Sequence, residues 1–234
     1  MIVRKLSHNV KFSNNQPSRE HWLEEALISI PKGSRILDAG AGELQYKKLC
    51  SHLNYISLDF GKYDGKGNDV GLQTNKWDQD NLDIISDIAS IPIADSCFDA
   101  VMCIEVLEHV PYPIDALREI VRILKPNGQL ILTAPFCSLT HFSPFFYQTG
   151  YSQYFYKYWL TKMGLEIVDL QPNGNYFEYL AQELHRLPSI TRKYTASTLN
   201  LFHKFIIFVM LMMLNNFSKR DQGSNELLCF GIQV

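Results

Sequence analysis

The residues with the clearest chemical pattern lie in one short loop, where an acidic residue precedes two closely spaced glycines. Asp38 is followed by Gly40 and Gly42 in the run Ile36-Leu37-Asp38-Ala39-Gly40-Ala41-Gly42. Two glycines at alternate positions let the backbone turn tightly and approach a ligand without a Cβ in the way. A dinucleotide-binding loop needs a further glycine at position 45, which is Gln45, so that fingerprint fails. The carboxylate before the glycines suits a ligand that carries an ammonium group.

Further short motifs follow this loop in a defined order along the chain. They are Leu58-Asp59; Ser86-Asp87-Ile88 with Ile91-Pro92; Ser96-Cys97-Phe98-Asp99-Ala100-Val101; Glu105-Val106-Leu107-Glu108-His109-Val110; and Ala116-Leu117 through Arg122-Ile123-Leu124-Lys125-Pro126-Asn127-Gly128. With this ordered series the stretch from residue 35 to 135 resembles the class I S-adenosylmethionine-dependent methyltransferases, in particular those that act on small molecules. That family often has a third glycine two residues after the second, where this chain has Leu44.

The resemblance implies S-adenosylmethionine as the cofactor and a place for each of its parts. Gly40 and Gly42 would line the methionine and ribose portion, and Asp59 would accept both ribose hydroxyls. Asp87 would accept from the adenine amino group, with Ile88 beside the ring. Two residues just past the fourth strand would lie near the methionine moiety. The predicted cofactor-binding residues are therefore Asp38, Gly40, Gly42, Asp59, Asp87, Ile88, Ile104 and Glu105.

Two histidines are candidates for handling the proton of a methyl acceptor. Histidine titrates near neutral pH and serves as a general base in many enzymes. His141 follows the fifth predicted strand, ahead of Pro144, in the loop where this family usually binds its acceptor. We predict His141 as the base or as an acceptor ligand. His109 belongs to a stretch that the family commonly has without catalytic use, so we predict a structural role for it.

A metal-binding interpretation of the same region competes with this one. Two carboxylates and two imidazoles, from Glu105, Glu108, His109 and His141, would suit a divalent ion and a hydroxyl acceptor. The set resembles the small-RNA 3′-terminal 2′-O-methyltransferases, but those continue after the fifth strand with Thr-Pro-Asn, where this chain has Ala134-Pro135-Phe136. We therefore predict no metal ligands and keep a metal-assisted RNA 2′-O-methyltransferase as an alternative.

Aromatic residues concentrate after the fifth predicted strand. Of the 18 residues between Phe142 and Trp159, ten are aromatic, whereas the chain's 12% content would give about two. Aromatic faces bind sugars and other partly apolar acceptors. The rings after Ser152 fit a helix that packs on the sheet, while those of the preceding loop favour contact with the acceptor. The predicted substrate-contact residues are Phe142, Phe145, Tyr147 and Tyr151.

Alternating strand and helix patterns must position these groups. We predict strands over residues 35–39, 55–59, 83–87, 98–104, 129–134, 165–170 and 227–234. We predict helices over residues 18–30, 43–53, 115–124, 152–162 and roughly 175–216. The alternation predicts an α/β fold: a Rossmann-like, seven-stranded, mainly parallel sheet with helices on both faces and a helical insertion before the last strand. Ligands then lie at the carboxyl ends of the strands.

One helical segment is apolar on every side. Residues 205–214 form ten unbroken apolar positions, and spanning a bilayer needs about 20. Extension back to Leu199 meets His203 and Lys204, so a transmembrane helix is not expected. A helix of this kind must be covered. Its predicted contact is the core, a second copy of the chain through residues 199–214, or the surface of a membrane.

Composition excludes several classes of protein. The 234 residues are 46% hydrophobic and 20% charged with a net charge of −2, which argues against disorder and offers no drive towards nucleic acid. The five cysteines show no metal or disulfide framework, and residues 1–22 contain no apolar core of a secretory signal. We therefore predict a cytoplasmic protein with reduced, mostly buried thiols.

These observations predict a single methyltransferase domain. Residues 18–135 form its cofactor half, residues 136–226 its acceptor side and insertion, and residues 227–234 its last strand. The predicted activity is methyl transfer from S-adenosylmethionine to a small molecule, most plausibly to an oxygen of a sugar or saccharide-type metabolite. The alternatives are a quinone or lipid methyltransferase with peripheral membrane contact, the RNA enzyme above, and an inactive cofactor-binding partner subunit.

Overall fold

The structure is a computed structural model that describes residues 15–234. Most of the segment predicted to lack a secretory signal lies outside the described residues. The described chain forms two compact units. The sheet unit comprises His21–Gln171 and Gly231–Val234, and the helical unit comprises residues 15–20 and Pro172–Phe230. The prediction of a single domain stays a prediction.

Seven strands form one sheet. They are β1 (Arg35–Ala39), β2 (Asn54–Asp59), β3 (Ile84–Ile85), β4 (Phe98–Ile104), β5 (Leu124–Pro135), β6 (Gln171–Asn173) and β7 (Gly231–Gln233). Their order is β3-β2-β1-β4-β5-β7-β6. β1 pairs in parallel with β2 and β4, β4 pairs in parallel with β5, and β7 is antiparallel to β5. The predicted α/β class with a mainly parallel sheet is confirmed.

The strand order places a ligand site at one edge of this sheet. The chain goes from β1 to β2 and β3 on one side and then crosses to β4 on the other side of β1. In such sheets ligands bind beyond the carboxyl ends of the strands at this reversal. The carboxyl ends of β1, β2, β4 and β5 carry Ala39, Asp59, Ile104 and Pro135. The loops that follow these residues form the candidate site.

Five α-helices accompany the strands within the described residues. They are α1 (Asn15–Ile28), α2 (Pro113–Ile123), α3 (Gln153–Lys162), α4 (Tyr176–Thr195) and α5 (Leu201–Ser218). α1 buries Leu23 and Leu27 in a core cluster that also holds Ile36 of β1 and Met102 of β4. α2 buries Leu117 and three other residues at helical spacing. This spacing is why the sequence predicted the helix.

The predicted helix over residues 43–53 is wrong. Only a short 3-10 turn, Lys47–Cys50, forms there. Leu44 has a φ of +61°, which follows two glycines that are also left-handed. A left-handed residue cannot continue a right-handed helix, because its backbone groups point away from the helical hydrogen bonds. The glycine loop therefore lacks the helix N-terminus that was expected beside it.

Other element boundaries also differ from prediction. The third strand shrinks to Ile84–Ile85, and the backbone N–H of Asp83 donates to the hydroxyl of Ser57 instead of to a strand carbonyl. The predicted sixth strand over residues 165–170 does not form, and Val168 there is 94% exposed. β6 starts at Gln171. The last strand begins at Gly231, four residues later than predicted.

The helical unit pairs α4 with α5. The predicted insertion over residues 175–216 forms, but it breaks into two helices after Thr195, where Ala196 is left-handed. Leu211 and Leu214 of α5 pack with Ala181 of α4. Most other apolar side chains of α5 are exposed, including Phe205 and Val209. By length and composition alone α5 is able to cross a membrane, and 11% of it is buried.

Candidate active site

The glycine loop after β1 closely approaches two neighbouring side chains. Gly40 has a φ of +95° and Gly42 a φ of +52°, which are conformations that favour glycine. A Cβ at position 40 would lie 2.3 Å from Cγ2 of Val106. A Cβ at position 42 would lie 2.7 Å from Cζ2 of Trp77. The loop therefore forms a cradle of bare backbone that no other residue type would fit without movement.

Asp59, the last residue of β2, links this loop to the next one. Its side chain is buried, and Oδ2 accepts the backbone N–H of Gly42 at 3.0 Å. Oδ1 accepts the N–H of Gly61 at 3.0 Å and the side-chain amide of Gln79 at 2.8 Å. These bonds hold the carboxylate at the carboxyl edge of the sheet beside the glycine cradle.

Asp38 lies one residue before the end of β1 and is buried. Its Oδ2 accepts the hydroxyl of Tyr55 at 2.6 Å. Burial raises the pKa of Asp38 to about 7, the Tyr55 hydrogen bond lowers it, and the charge of Asp59 raises it further. The carboxyl group is therefore poised between its neutral and charged forms near neutral pH.

The remaining predicted cofactor residues lie along the same edge. Ile88 is buried after β3, next to the exposed Asp87, whose Oδ1 accepts the N–H of Ala89 at 2.8 Å. Ile104 is buried at the end of β4. Glu105 follows it with a left-handed backbone, and its Oε1 accepts the Thr133 hydroxyl at 2.9 Å.

The loop after β2 pairs with the loop after β5. Leu72 forms a parallel bridge with His141: its N–H donates to the carbonyl of Thr140, and its own carbonyl accepts the N–H of Phe142. The hydroxyl of Ser143 donates to Asn68 at 2.8 Å. Two loops about 70 residues apart in sequence therefore form one wall of the site.

Rings from these two loops and from the loop after β4 form a continuous group. We call it the aromatic cluster, and its six members are Tyr63, Trp77, His109, His141, Phe142 and Phe146. Phe142 lies at its centre, stacked on Tyr63 with centroids 4.5 Å apart and on His109 with centroids 5.1 Å apart. His109 and His141 meet edge to face at 4.7 Å. The cluster combines flat apolar faces with two imidazole nitrogens.

The two histidines converge on one buried carboxylate. Oε1 of Glu108 lies 3.6 Å from Nε2 of His109 and 3.9 Å from Nε2 of His141. Burial lowers the pKa of His109 to about 4, and the charge of His141 acts in the same direction. His109 is therefore neutral at physiological pH. From the sequence it was expected to be only a structural residue, whereas the structure places it against His141.

The four predicted substrate residues lie in different environments. Phe142 belongs to the aromatic cluster, and Phe145 packs edge-on against Phe60 at 4.8 Å. Tyr147 is 46% exposed and makes no ring contact within the described residues. Tyr151 is 7% exposed, and its hydroxyl donates to the carbonyl of Leu107 at 2.8 Å. Tyr151 therefore packs as a core residue, and only Phe142 lines the cluster.

Comparison with known proteins decides the family. Residues 37–132 match the family model described as a methyltransferase domain. This segment therefore belongs to the methyltransferase domain family, in agreement with the resemblance to class I S-adenosylmethionine-dependent methyltransferases. The putative sarcosine dimethylglycine methyltransferase of Galdieria sulphuraria shares the fold, with a TM-score of 0.54 and 15% sequence identity over 92% of this chain and 82% of that one.

Curated relatives of this chain match it over part of their length. The demethylmenaquinone methyltransferase of Renibacterium salmoninarum is 34% identical over 134 residues, which cover 56% of this chain and 51% of the relative. The ubiquinone biosynthesis O-methyltransferase of Dechloromonas aromatica is 32% identical over 121 residues, half of each chain. The chain thus spans about half the length of these relatives.

Several residues of the methyltransferase site were not found from its sequence. Tyr63, Trp77 and Gln79 lie in the long loop after β2, which has no helical or strand periodicity. Phe146 was counted only as one of many rings. The density of aromatic residues after β5 was a usable signal for Phe146. Nothing in the sequence around Trp77 indicated that its ring would reach Gly42, because that contact depends on how the loop folds back.

We expect the Asp38→Asn variant of the methyltransferase to lose a pH dependence of stability. The unfolded carboxyl ionises near pH 4 and the folded one near pH 7, so the wild-type free energy of unfolding falls as pH rises between these values. The amide keeps an acceptor for Tyr55 and does not titrate. Urea unfolding should show that the free energy of unfolding of the variant, relative to wild type, is about 2–3 kcal/mol higher at pH 7 than at pH 5. The expected slope is about 1.4 kcal/mol per pH unit.

Asp83→Asn is the matched control for this prediction. Hydrogen bonds from the backbone and side chain of Ser57 lower the pKa of Asp83, so its stabilisation is lost as pH falls. Its difference from wild type should therefore stay constant between pH 5 and pH 7. If the free energy of unfolding of Asp38→Asn changed with pH in parallel with that of wild type between pH 5 and pH 7, this would contradict an ionisation of Asp38 in that range.

Proposed function

We propose that this chain transfers a methyl group from S-adenosylmethionine to an oxygen of a small acceptor molecule. The observation that carries the proposal is the hydrogen bond between the carboxylate of Asp59 and the glycine cradle. A buried carboxylate at the end of β2 accepts the N–H of Gly42, and both flanking glycines present bare backbone. These features fit the cofactor of the family, because a carboxylate beside a glycine loop at the carboxyl edge of the sheet is the arrangement expected for its ribose and methionine portions.

Each predicted residue has a role in holding this cofactor. Asp59 accepts the ribose hydroxyls, since a carboxylate oxygen takes more than one hydrogen bond. Asp38 lies near the ammonium of the methionine moiety, where a positive charge would favour its ionised form. Asp87 accepts from the adenine amino group, and Ile88 packs beside the ring. Ile104 and Glu105 border the methionine moiety.

The reaction requires little of the protein beyond position and a dry site. The bound cofactor supplies an electrophilic methyl group on a sulfonium. The chain must orient the acceptor oxygen in line with that group and take up its proton. The aromatic cluster excludes water and offers faces for the acceptor. His141 is the candidate catalytic residue, and its Nε2 accepts a hydrogen bond from the acceptor hydroxyl.

The finer identity of the acceptor has two candidates. A sugar or saccharide-type acceptor is supported by the rings of the aromatic cluster, with Phe142 at their centre. A quinone-type or lipid acceptor is supported by α5, whose exposed face includes Phe205 and Val209. The two relatives named above are quinone methyltransferases by name. The exposed helix favours the second candidate, because an apolar face of this size would hold the chain at a lipid surface.

One experiment separates these candidates. The chain is incubated with methyl-labelled S-adenosylmethionine and either soluble sugar-type acceptors or quinone-type acceptors carried in lipid vesicles, and the product is examined by mass spectrometry. We expect labelled product from the vesicles. The double variant Phe205→Ser, Val209→Ser should lower that yield about tenfold or more, because each apolar side chain contributes about 1.5–3 kcal/mol when buried.

The control for the vesicle experiment is Val168→Ser, which removes an exposed apolar side chain of the sheet unit. It should leave the yield unchanged. Labelled product from the soluble acceptors alone would select the sugar candidate. Cofactor binding without product from either pool, or from added RNA, would support the inactive partner subunit.

A further inference from the structure

Three metal-ligating side chains lie together at the acceptor side of the site. Glu108 and His109 belong to the loop after β4, and His141 belongs to the loop after β5. One ligand atom from each lies within 4.8 Å of the others. The Glu108 carboxylate lies 3.6 Å from Nε2 of His109 and 3.9 Å from Nε2 of His141. Residues 32 positions apart thus form a compact group of one oxygen and two nitrogens.

The backbone sets the orientation of both imidazoles. Nδ1 of His109 contacts the carbonyl oxygen of Phe145 at 2.5 Å, and Nδ1 of His141 contacts that of Leu139 at 2.8 Å. A carbonyl oxygen only accepts, so each Nδ1 carries the proton and donates it. In a neutral imidazole the lone pair then lies on Nε2. Both Nε2 atoms face the carboxylate of Glu108.

This arrangement is the one that protein metal sites use. A metal-bound histidine almost always donates its other N–H to a carbonyl or carboxylate, which holds the ring and the tautomer. Two imidazoles and one carboxylate suit Zn²⁺ and similar first-row ions better than Mg²⁺ or Ca²⁺, which prefer oxygen. Two ligand atoms about 2.0–2.1 Å from a zinc ion at the tetrahedral angle lie about 3.4 Å apart. The separations of 3.6 and 3.9 Å are within a few tenths of an ångström of that value.

The fourth candidate ligand of the region, Glu105, does not belong to the site. Oε1 of Glu105 accepts the hydroxyl of Thr133 at 2.9 Å, and Glu105 does not join the three-residue group. The three ligands therefore leave coordination positions open. Rings of the aromatic cluster flank them, with Phe142 against both imidazoles and Phe146 next to His141. The side chain of His141 is 23% exposed, so the group has a side that faces solvent.

We propose that Glu108, His109 and His141 bind one divalent transition-metal ion of the zinc type, with an open position for an acceptor oxygen. The inference rests on the proposed function and deepens it. With an ion bound, Nε2 of His141 would be a metal ligand, and the acceptor oxygen would be oriented by the ion instead of by a hydrogen bond to His141. It also replaces the sequence prediction that the chain has no metal ligands. Metal binding itself requires neither the cofactor nor the acceptor.

Cobalt titration tests this site without any assay of activity. Co²⁺ is added to the metal-free chain, visible absorption is followed, and Zn²⁺ is then added in competition. We expect one equivalent of Co²⁺ to give an absorption band that Zn²⁺ removes and Mg²⁺ does not. His141→Ala and Glu108→Gln should each weaken Co²⁺ binding about 100-fold or more, because each removes one of three ligands.

His21→Ala is the matched control. Nε2 of His21 lies 3.7 Å from Glu25, a similar separation, but the pair is exposed and no second imidazole joins it among residues 15–234. This variant should bind Co²⁺ as wild type does. Because Glu108 is buried, thermal unfolding is first used to check that each variant is folded. If Glu108→Gln does not fold, the His141→Ala variant, at a partly exposed position, provides the test. Equal binding by wild type and His141→Ala, or no wild-type band at millimolar Co²⁺, would overturn the metal site and leave cofactor binding untouched.

Discussion

Replacing Asp59 by alanine is expected to weaken the binding of S-adenosylmethionine about 100-fold. Hydrogen bonds to a charged group contribute about 1.5–3 kcal/mol each, and a loss of about 3 kcal/mol is a factor of about 100 in affinity. The variant also removes the acceptor for the N–H of Gly42 and for the side-chain amide of Gln79. The cradle would therefore lose both a ligand contact and the bond that shapes it. Isothermal titration calorimetry with the cofactor measures the effect.

Asp99→Ala is the matched control for this variant. Asp99 also accepts two hydrogen bonds, from the N–H of Arg35 at 2.8 Å and from Lys125 at 2.6 Å. It lies near the amino end of β4, at the opposite edge of the sheet. The Asp99→Ala variant should bind the cofactor with the same affinity as wild type. Unchanged affinity in a folded Asp59→Ala variant would remove Asp59 from the cofactor site.

The Gly40→Ala variant is expected to lose measurable cofactor binding and about 2–5 kcal/mol of stability. A left-handed φ costs a residue with a Cβ about 1–2 kcal/mol, and overpacking adds about 1–3 kcal/mol. The new methyl group would lie 2.3 Å from Cγ2 of Val106, so either the loop or the branched side chain must move. Denaturant unfolding and cofactor titration on the same preparation give both quantities.

Two further variants isolate the cause of the Gly40 effect. Gly33 has a φ of +82°, and a Cβ added there would meet no atom within 4 Å, so Gly33→Ala should cost only about 1–2 kcal/mol and leave cofactor affinity unchanged. Val106→Ala in the Gly40→Ala background removes the colliding methyl groups and should restore part of the stability. Equal destabilisation by Gly40→Ala and Gly33→Ala would show that the close approach to Val106 has no energetic weight.

The strands from β1 to β5 and the residues at their ends could be predicted from local patterns. Each strand from β1 to β5 was recognised, although β3 and β5 differ in extent, because buried parallel strands are short apolar runs between turn residues. Asp38, Gly40, Gly42 and Asp59 lie at strand ends, and strand ends follow from those runs. Leu44 shows the limit of prediction from local patterns. Its apolar side chain fitted a helix pattern, whereas its left-handed backbone prevents an α-helix from forming there.

The acceptor side depended on contacts between distant parts of the chain. The sequence indicated that aromatic residues would concentrate after β5, and it could not distinguish the buried Tyr151 from Phe142 in the cluster. Tyr63 and Trp77 join Phe142 only because the loop after β2 bonds to the loop after β5. Such pairings have no sequence period, so propensity and spacing do not reveal them.

The sequence by itself determined the class of fold, the glycine loop after β1 and the presence of an apolar helix, because each follows from a local pattern of residue types. Only the tertiary structure decided which side of α5 is covered, that Asp38 is buried against Tyr55, and that Glu108, His109 and His141 meet. The physical reason is that burial and convergence depend on the path of the whole chain. The tautomer of His109, for example, is set by the carbonyl of Phe145, which lies 36 residues away in the sequence.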